Sequence, residues 1–92
     1  MAESDAQFLL LYEYVPDMAE RRGPHRGPHL EKIEAEREAG HIGAAGAFDP
    51  PTGAAIVFTG VDREHVEAFV ASDPYQRAGL VGAWRVERWK LV

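Results

Sequence analysis

The stretch HIGAAGAFDPPTGAAIVFTG, residues 41–60, decides how the rest of the chain must be arranged. At its centre, DPPTG (49–53) combines an aspartate, two prolines and a glycine, a combination that turns the backbone and resists regular structure. On either side lie HIGAAGAF, to Phe48, and AAIVFTG, to Gly60, both short and apolar enough to be strands. Two consecutive strands therefore occupy the middle of the chain, and what flanks them fixes the topology.

Upstream, HLEKIEAEREAG (29–40) is rich in helix formers, and Gly40 stands where the residue past a helix end belongs. Pro28 suits a first helical position, because its missing N–H has no partner there. An earlier start near Pro24, with a distortion at Pro28, fits the residues as well, and MAERRGPHRG (18–27) otherwise reads as a polar approach segment. Before it, FLLLYEY (8–14) is a largely buried strand closed by Pro16-Asp17. Downstream, Asp62 caps REHVEAFVAS, in which Val66, Phe69 and Val70 form an i, i+3, i+4 apolar stripe. DPYQRAGLVG (73–82) interrupts, and AWRVERWKLV (83–92) alternates as a last strand. The order is β-α-β-β-α-β, the ferredoxin-like split βαβ arrangement: a four-stranded antiparallel sheet with helices on one face.

The 92 residues fit one domain, 1–92, with MAESDA at positions 1–6 expected to be a flexible tail. A domain of this size buries roughly 60–65% of the surface of its unfolded chain, so its core is thin. There is no cysteine, hence no disulfide, thiolate ligand or thiol nucleophile. An uncovered apolar sheet face is unstable in water, and pairing two such faces buries both. The expected partner is a second copy of the chain, with room for a small-molecule ligand near the dimer interface. A net charge of −5 argues against nucleic acid, no apolar run approaches the ~20 residues that span a bilayer, and the acidic start is no signal peptide, so a cytoplasmic location is expected.

The segments RRGPHRGPHL (21–30), EAG (38–40), AAGAF (44–48) and SDPYQRAGL (72–80), with the closing aromatic strand, resemble the YCII-related proteins. These belong to the dimeric α+β barrel superfamily, which also holds muconolactone isomerases and antibiotic-synthesis monooxygenases. The resemblance runs from Phe8 to about Trp89. Arg26 and His29 fall on the family's Arg-x-x-His; Asp73, Pro74 and Tyr75 fall on its Asp-Pro-Tyr, and Gly79 on the glycine that follows. Gly46 is followed by Ala47 where members commonly carry Gly-Pro. The sequence is also similar to that of a dehydrochlorinase of chlorinated-aromatic breakdown, in which a His-Asp pair is implicated.

The resemblance implies that His29 and Asp73 form a catalytic pair, with Arg26 and Tyr75 as substrate-binding residues. In the first turn of a helix, the macrodipole would keep the His29 ring neutral and able to take a proton. Asp73, followed by proline, is equally a helix N-cap; both roles coexist if one carboxylate oxygen caps and the other faces His29. Arg26 either binds a substrate carboxylate or enolate through its planar fork or pairs with the acidic surface. Tyr75 either offers its phenol to the site or packs beneath the Asp-Pro turn. His25 and His29, four apart, imitate a zinc pair, but the Arg-Gly-Pro spacer strains a helix and no third ligand is visible, so no metal is expected there. His41 and His65 read as surface residues; Phe58, Trp84 and Trp89 as sheet or interface residues.

No cofactor is signalled. The expected activity is that of a cofactor-independent lyase or isomerase, moving a proton on a small cyclic or enolisable compound. The alternative is a ligand-binding or accessory module without chemistry, since fold does not fix function. Cofactor-free oxygenation has less support, because no residue marks an oxygen site.

Overall fold

The computed structural model describes residues 7–92, so the tail expected over 1–6 lies outside the described residues. Strand β1 (Gln7–Tyr14) leads into a short helix α1 (Met18–Arg21) and the long helix α2 (Gly23–Glu38). Strands β2 (Ile42–Ala47) and β3 (Gly53–Thr59) follow, then α3 (Arg63–Ser72), a one-turn helix α4 (Pro74–Arg77), and β4 (Val81–Trp89). The sheet order is β2-β3-β1-β4, antiparallel at every step, the ferredoxin-like α+β arrangement.

The alternation of β1 settles which face is covered. Leu10 lies opposite Ile56 on β3 and Val86 on β4, and all three are buried beneath the helices with Tyr12, Tyr14 and Phe58. Val66, Phe69 and Val70 of α3 close over them, as their spacing requires, and the Phe58 and Phe69 rings meet edge-on at 5.3 Å. Each such side chain contributes about 1.5–3 kcal/mol by leaving water. Emptying the centre, as Phe58→Ala would, costs about 3–5 kcal/mol. Leu9, Leu11, Ala55 and Val57 point the other way, onto a face that no helix covers among the described residues, bordered by the Arg85–Glu87 ion pair at 3.1 Å. Gly53 is required where β3 passes β1: a Cβ there would collide with the Tyr12 carbonyl oxygen.

Helix α2 begins at Gly23, and Pro28 lies inside it, so the earlier start near Pro24 is the correct one. The approach segment is correspondingly helical: α1 passes into α2 through Arg22, whose backbone is itself helical and whose N–H donates to the Met18 carbonyl at 2.9 Å. Two features make this tolerable. Pro24 sits in the first turn, where no N–H is needed. Each proline follows a glycine, which removes the Cβ that would otherwise clash with the proline ring in a helical conformation. Pro28 still forfeits one backbone hydrogen bond.

At its C-terminus α2 ends in a Schellman motif. Gly40, at φ 82°, donates to the Arg37 carbonyl at 3.0 Å, and His41 donates to the Glu36 carbonyl at 2.9 Å. The N-cap of α3 is Asp62, as expected, accepting from the His65 N–H at 2.9 Å. The DPYQRAGLVG segment is more regular than the sequence suggested. Its first residues wind into α4, with Asp73 as N-cap and Pro74 in the first turn.

Candidate active site

Asp73 is wholly buried, and its carboxylate is the point at which three parts of the chain converge. It stands between α3 and α4, as C-cap of the first and N-cap of the second. Oδ1 accepts the Tyr75 N–H at 3.0 Å and lies 2.8 Å from His29 Nδ1 on α2. Oδ2 accepts the Tyr12 hydroxyl of β1 at 2.7 Å. The expected division of labour, one oxygen capping and the other facing the histidine, is therefore incorrect. A carboxylate oxygen has two lone pairs, so Oδ1 serves both donors and Oδ2 is left for the phenol.

His29 is buried to 7% exposure, in the second turn of α2 rather than the first. The helix start at Gly23 puts it about 9 Å along the axis, beyond the first turn over which the macrodipole acts. Its environment is set by side chains instead. The ring stacks on Tyr75 at a centroid distance of 3.9 Å and 12° between planes, and Tyr75 meets Tyr14 edge-on at 5.9 Å. Nδ1 is the ring nitrogen turned toward Asp73, which leaves Nε2 outside that contact.

The phenols around the pair stay protonated. Burial, then the charge and hydrogen bond of Asp73, push Tyr12 far above the ordinary phenol value. Burial likewise raises Tyr14, helped by Tyr75 and Asp73 and opposed by Arg22. Burial also raises Tyr75 against the pull of Arg22 and Arg26.

His29 and Tyr75 open onto a cleft of about 230 Å³ between α2 and the β2–β3 strands, floored by Ile33, Ala54 and Ile56. Arg22, Arg26 and Arg37 also line it. Residues 22, 26, 29, 33 and 37 recur at the spacing of one helix face, and this stripe was present in the sequence once the helix start was known. Arg37 is 3.4 Å from Glu34, whereas Arg22 and Arg26 have no carboxylate at ion-pair distance among the described residues. Sequence reasoning named Arg26 but missed Arg22, and it missed Tyr12 and Tyr14 as parts of a strand. His25 faces elsewhere, lining a separate hollow with Pro74, Arg77 and Ala78. A shallower hollow of about 360 Å³ on the uncovered sheet face, beside Phe48 and Trp84, does not include His29 or Asp73.

His41 and His65 are not plain surface residues. Both are partly buried and share one oxygen of Glu36, at 3.1 Å from His41 Nδ1 and 2.8 Å from His65 Nε2. Partial burial pushes the Glu36 carboxyl up, but the hydrogen bonds from His65 and His41 outweigh it and hold the group below its ordinary value.

The sequence profile of the YCII-related domain matches residues 6–90. The chain belongs to the YCII-related family. No curated protein matches it. Among solved structures it is similar to the 5-chloro-2-hydroxyhydroquinone dehydrochlorinase of Burkholderia phenoliruptrix AC1100, solved in complex with 2,5-dihydroxybenzoquinone. The identity is 27%, the match covers 94% of this chain and 95% of that one, and the TM-score is 0.82. The YCII-related fold is thus shared over nearly the whole length of both chains. Among the described residues, no helix is long and apolar enough to cross a membrane.

Proposed function

We propose that this YCII-related protein is an enzyme in which His29, oriented by Asp73, moves a proton on a small cyclic, enolisable compound, with isomerisation or elimination as the outcome. The observation that carries this reading is the 2.8 Å contact between His29 Nδ1 and a wholly buried carboxylate, which leaves Nε2 as the acceptor of a ring lining the cleft. In an elimination of the dehydrochlorination type, Nε2 takes a proton from the substrate. The electron pair of the broken bond moves into the ring, whose chlorine-bearing carbon takes up a proton; loss of a second hydroxyl proton then lets chloride depart with the pair of the C–Cl bond. The imidazolium so formed is stabilised by Asp73. Hydrogen chloride is lost overall, with no external oxidant or reductant.

Arg22 and Arg26 suit an anionic substrate. A hydroxylated quinone such as the ligand of the related dehydrochlorinase is a vinylogous acid, negatively charged at neutral pH, and guanidinium groups recognise such oxygens through paired N–H donors. Tyr75 both packs beneath His29 and lines the cleft, so its two expected roles are compatible. The working form is a homodimer joined through the uncovered sheet faces.

The test is chloride release from 5-chloro-2-hydroxyhydroquinone, with 2,5-dihydroxybenzoquinone as a binding probe. Turnover abolished by His29→Ala supports the enzyme. Saturable binding of the quinone without any proton-transfer chemistry, unchanged in His29→Ala, would instead support the non-catalytic binding module.

A further inference from the structure

We propose that Glu36, His41 and His65 form a binding site for a divalent transition-metal ion of the zinc class, independent of the His29–Asp73 pair. The three donor atoms, one carboxylate oxygen and two imidazole nitrogens, all lie within 4.8 Å of one another. Zinc takes nitrogen and oxygen ligands at ~2.0–2.2 Å, which sets adjacent donors of a tetrahedral site roughly 3.3 Å apart. Two of the three separations, 3.1 Å and 2.8 Å, are already within about half an ångström of that value. A cation entering here replaces the N–H protons that now bridge the donors.

Each donor is held by its own backbone motif. Glu36 and His41 are the two ends of the Schellman motif of α2, where the His41 N–H meets the Glu36 carbonyl at 2.9 Å. That motif usually brings together two apolar side chains; here it brings together a carboxylate and an imidazole. The His41 carbonyl in turn accepts the Thr59 N–H at 2.8 Å, tying the turn to β3. His65 is the third residue of α3, fixed by its N–H to the Asp62 cap. Its ring lies edge-on to Phe58 at 6.3 Å and nearly perpendicular to the His41 ring, at 79°, so the two nitrogens converge without the rings colliding. The ligands need little rearrangement to close on an ion.

The donor set selects the metal. Two imidazoles and one carboxylate suit zinc and its neighbours, whereas magnesium and calcium prefer all-oxygen shells. Three protein ligands leave a fourth position for water, and the side chains of His41, Glu36 and His65 retain 31%, 19% and 35% exposure, enough for entry. Glu36 lies two helical turns beyond His29 on α2, about 10 Å along the axis, so the ion would clip α2 to α3 without touching the cleft chemistry.

The experiment is calorimetric titration of zinc chloride into the metal-stripped full chain at neutral pH, with histidine ring resonances followed by NMR. One zinc per chain, shifting the His41 and His65 rings and leaving His25 unmoved, is the expected result; magnesium chloride gives no heat. Altering a group that merely supports a metal ligand typically weakens binding ~10–100-fold, so His41→Gln and His65→Gln should each cost at least ~100-fold, and His25→Gln nothing. No saturable uptake, or uptake that survives in the double variant, overturns the proposal. So does a native chain whose His41 and His65 rings do not respond, a readout that needs no variant to fold. A melting temperature lowered by Glu36→Gln with no zinc uptake by the native chain would make the cluster a hydrogen-bonded latch and overturn the metal site.

Discussion

The Tyr12 hydroxyl reaches across 61 residues of sequence to donate to Asp73 Oδ2 at 2.7 Å, so an inner strand of the sheet holds the carboxylate that holds the histidine. Tyr12→Phe removes that donor and leaves a buried acceptor unsatisfied, at a cost of about 1–3 kcal/mol. In a domain of this size each kcal/mol lowers the melting temperature by about 4–8 °C. Thermal unfolding followed by circular dichroism should show a loss of about 4–24 °C; an unchanged melting temperature would mean that the hydrogen bond contributes nothing net.

His29→Ala should leave the fold intact and reduce chloride release at least ~10²-fold, the lower end of what a general base contributes. Asp73→Asn should cost a comparable factor. The amide oxygen can still serve the Tyr75 N–H and the His29 Nδ1–H, and its NH₂ group can face Tyr12, but the charge that stabilises the imidazolium is gone. Asp73→Ala, which also strips the cap, should lose distinctly more stability than Asp73→Asn. Turnover unaffected by Asp73→Asn, with stability equally unaffected, would confine Asp73 to capping. His25→Ala should do little, since His25 lies outside the cleft.

All three tyrosines of the chain have raised phenol values, chiefly through burial. A group whose folded value is raised holds its proton more tightly when folded. Its stabilisation is complete below the unfolded value of 10.0 and is lost as pH rises above it. Tyrosinate absorbance should therefore appear together with unfolding on the alkaline side. A normal phenol titration in a chain that keeps its native circular dichroism would contradict the packing around Asp73.

Arg22→Ala and Arg26→Ala should each weaken 2,5-dihydroxybenzoquinone binding by about tenfold, a loss of about 1.4 kcal/mol. The effect should shrink at high salt, because both groups are close to solvent. Calorimetry at two ionic strengths measures both quantities. Affinity that ignores the arginines and the salt alike would remove the anionic substrate from the proposal.

For the homodimer, sedimentation at micromolar concentration should give about twice the chain mass. Leu11→Lys, which puts a charge in the middle of the uncovered sheet face, should yield a monomer. Dimers that persist in that variant would locate the contact elsewhere.

Much of the fold could be read in advance because its signals are local. The Asp-Pro-Pro-Thr-Gly turn, the Asp62 cap, Gly40 and the Val66-Phe69-Val70 stripe each act within a few residues. The start of α2 could not be read, because Gly-Pro is a breaker in isolation and becomes tolerable only where glycine relieves the clash and α1 leads in. Asp73 and His29 were legible as a pair through family resemblance. That one oxygen serves both the cap and the histidine depends on Tyr12 arriving from the sheet, and no sequence spacing encodes that. The Glu36–His41–His65 cluster was invisible for the same reason: two helix ends, 24 positions apart, meet only in the folded chain.

The place of Asp73 at the joint between α3 and α4 has a consequence for anyone who wants this scaffold inert. In the proposed chemistry the carboxylate would be at once a hinge pin and a reagent, so deleting it would loosen the molecule as it silenced it, and the two symptoms would arrive together. His29 can be silenced alone. A lineage that abandoned the chemistry would thus be free to lose its histidine first and would keep its aspartate, leaving a fossil of the activity in a residue retained for its architecture.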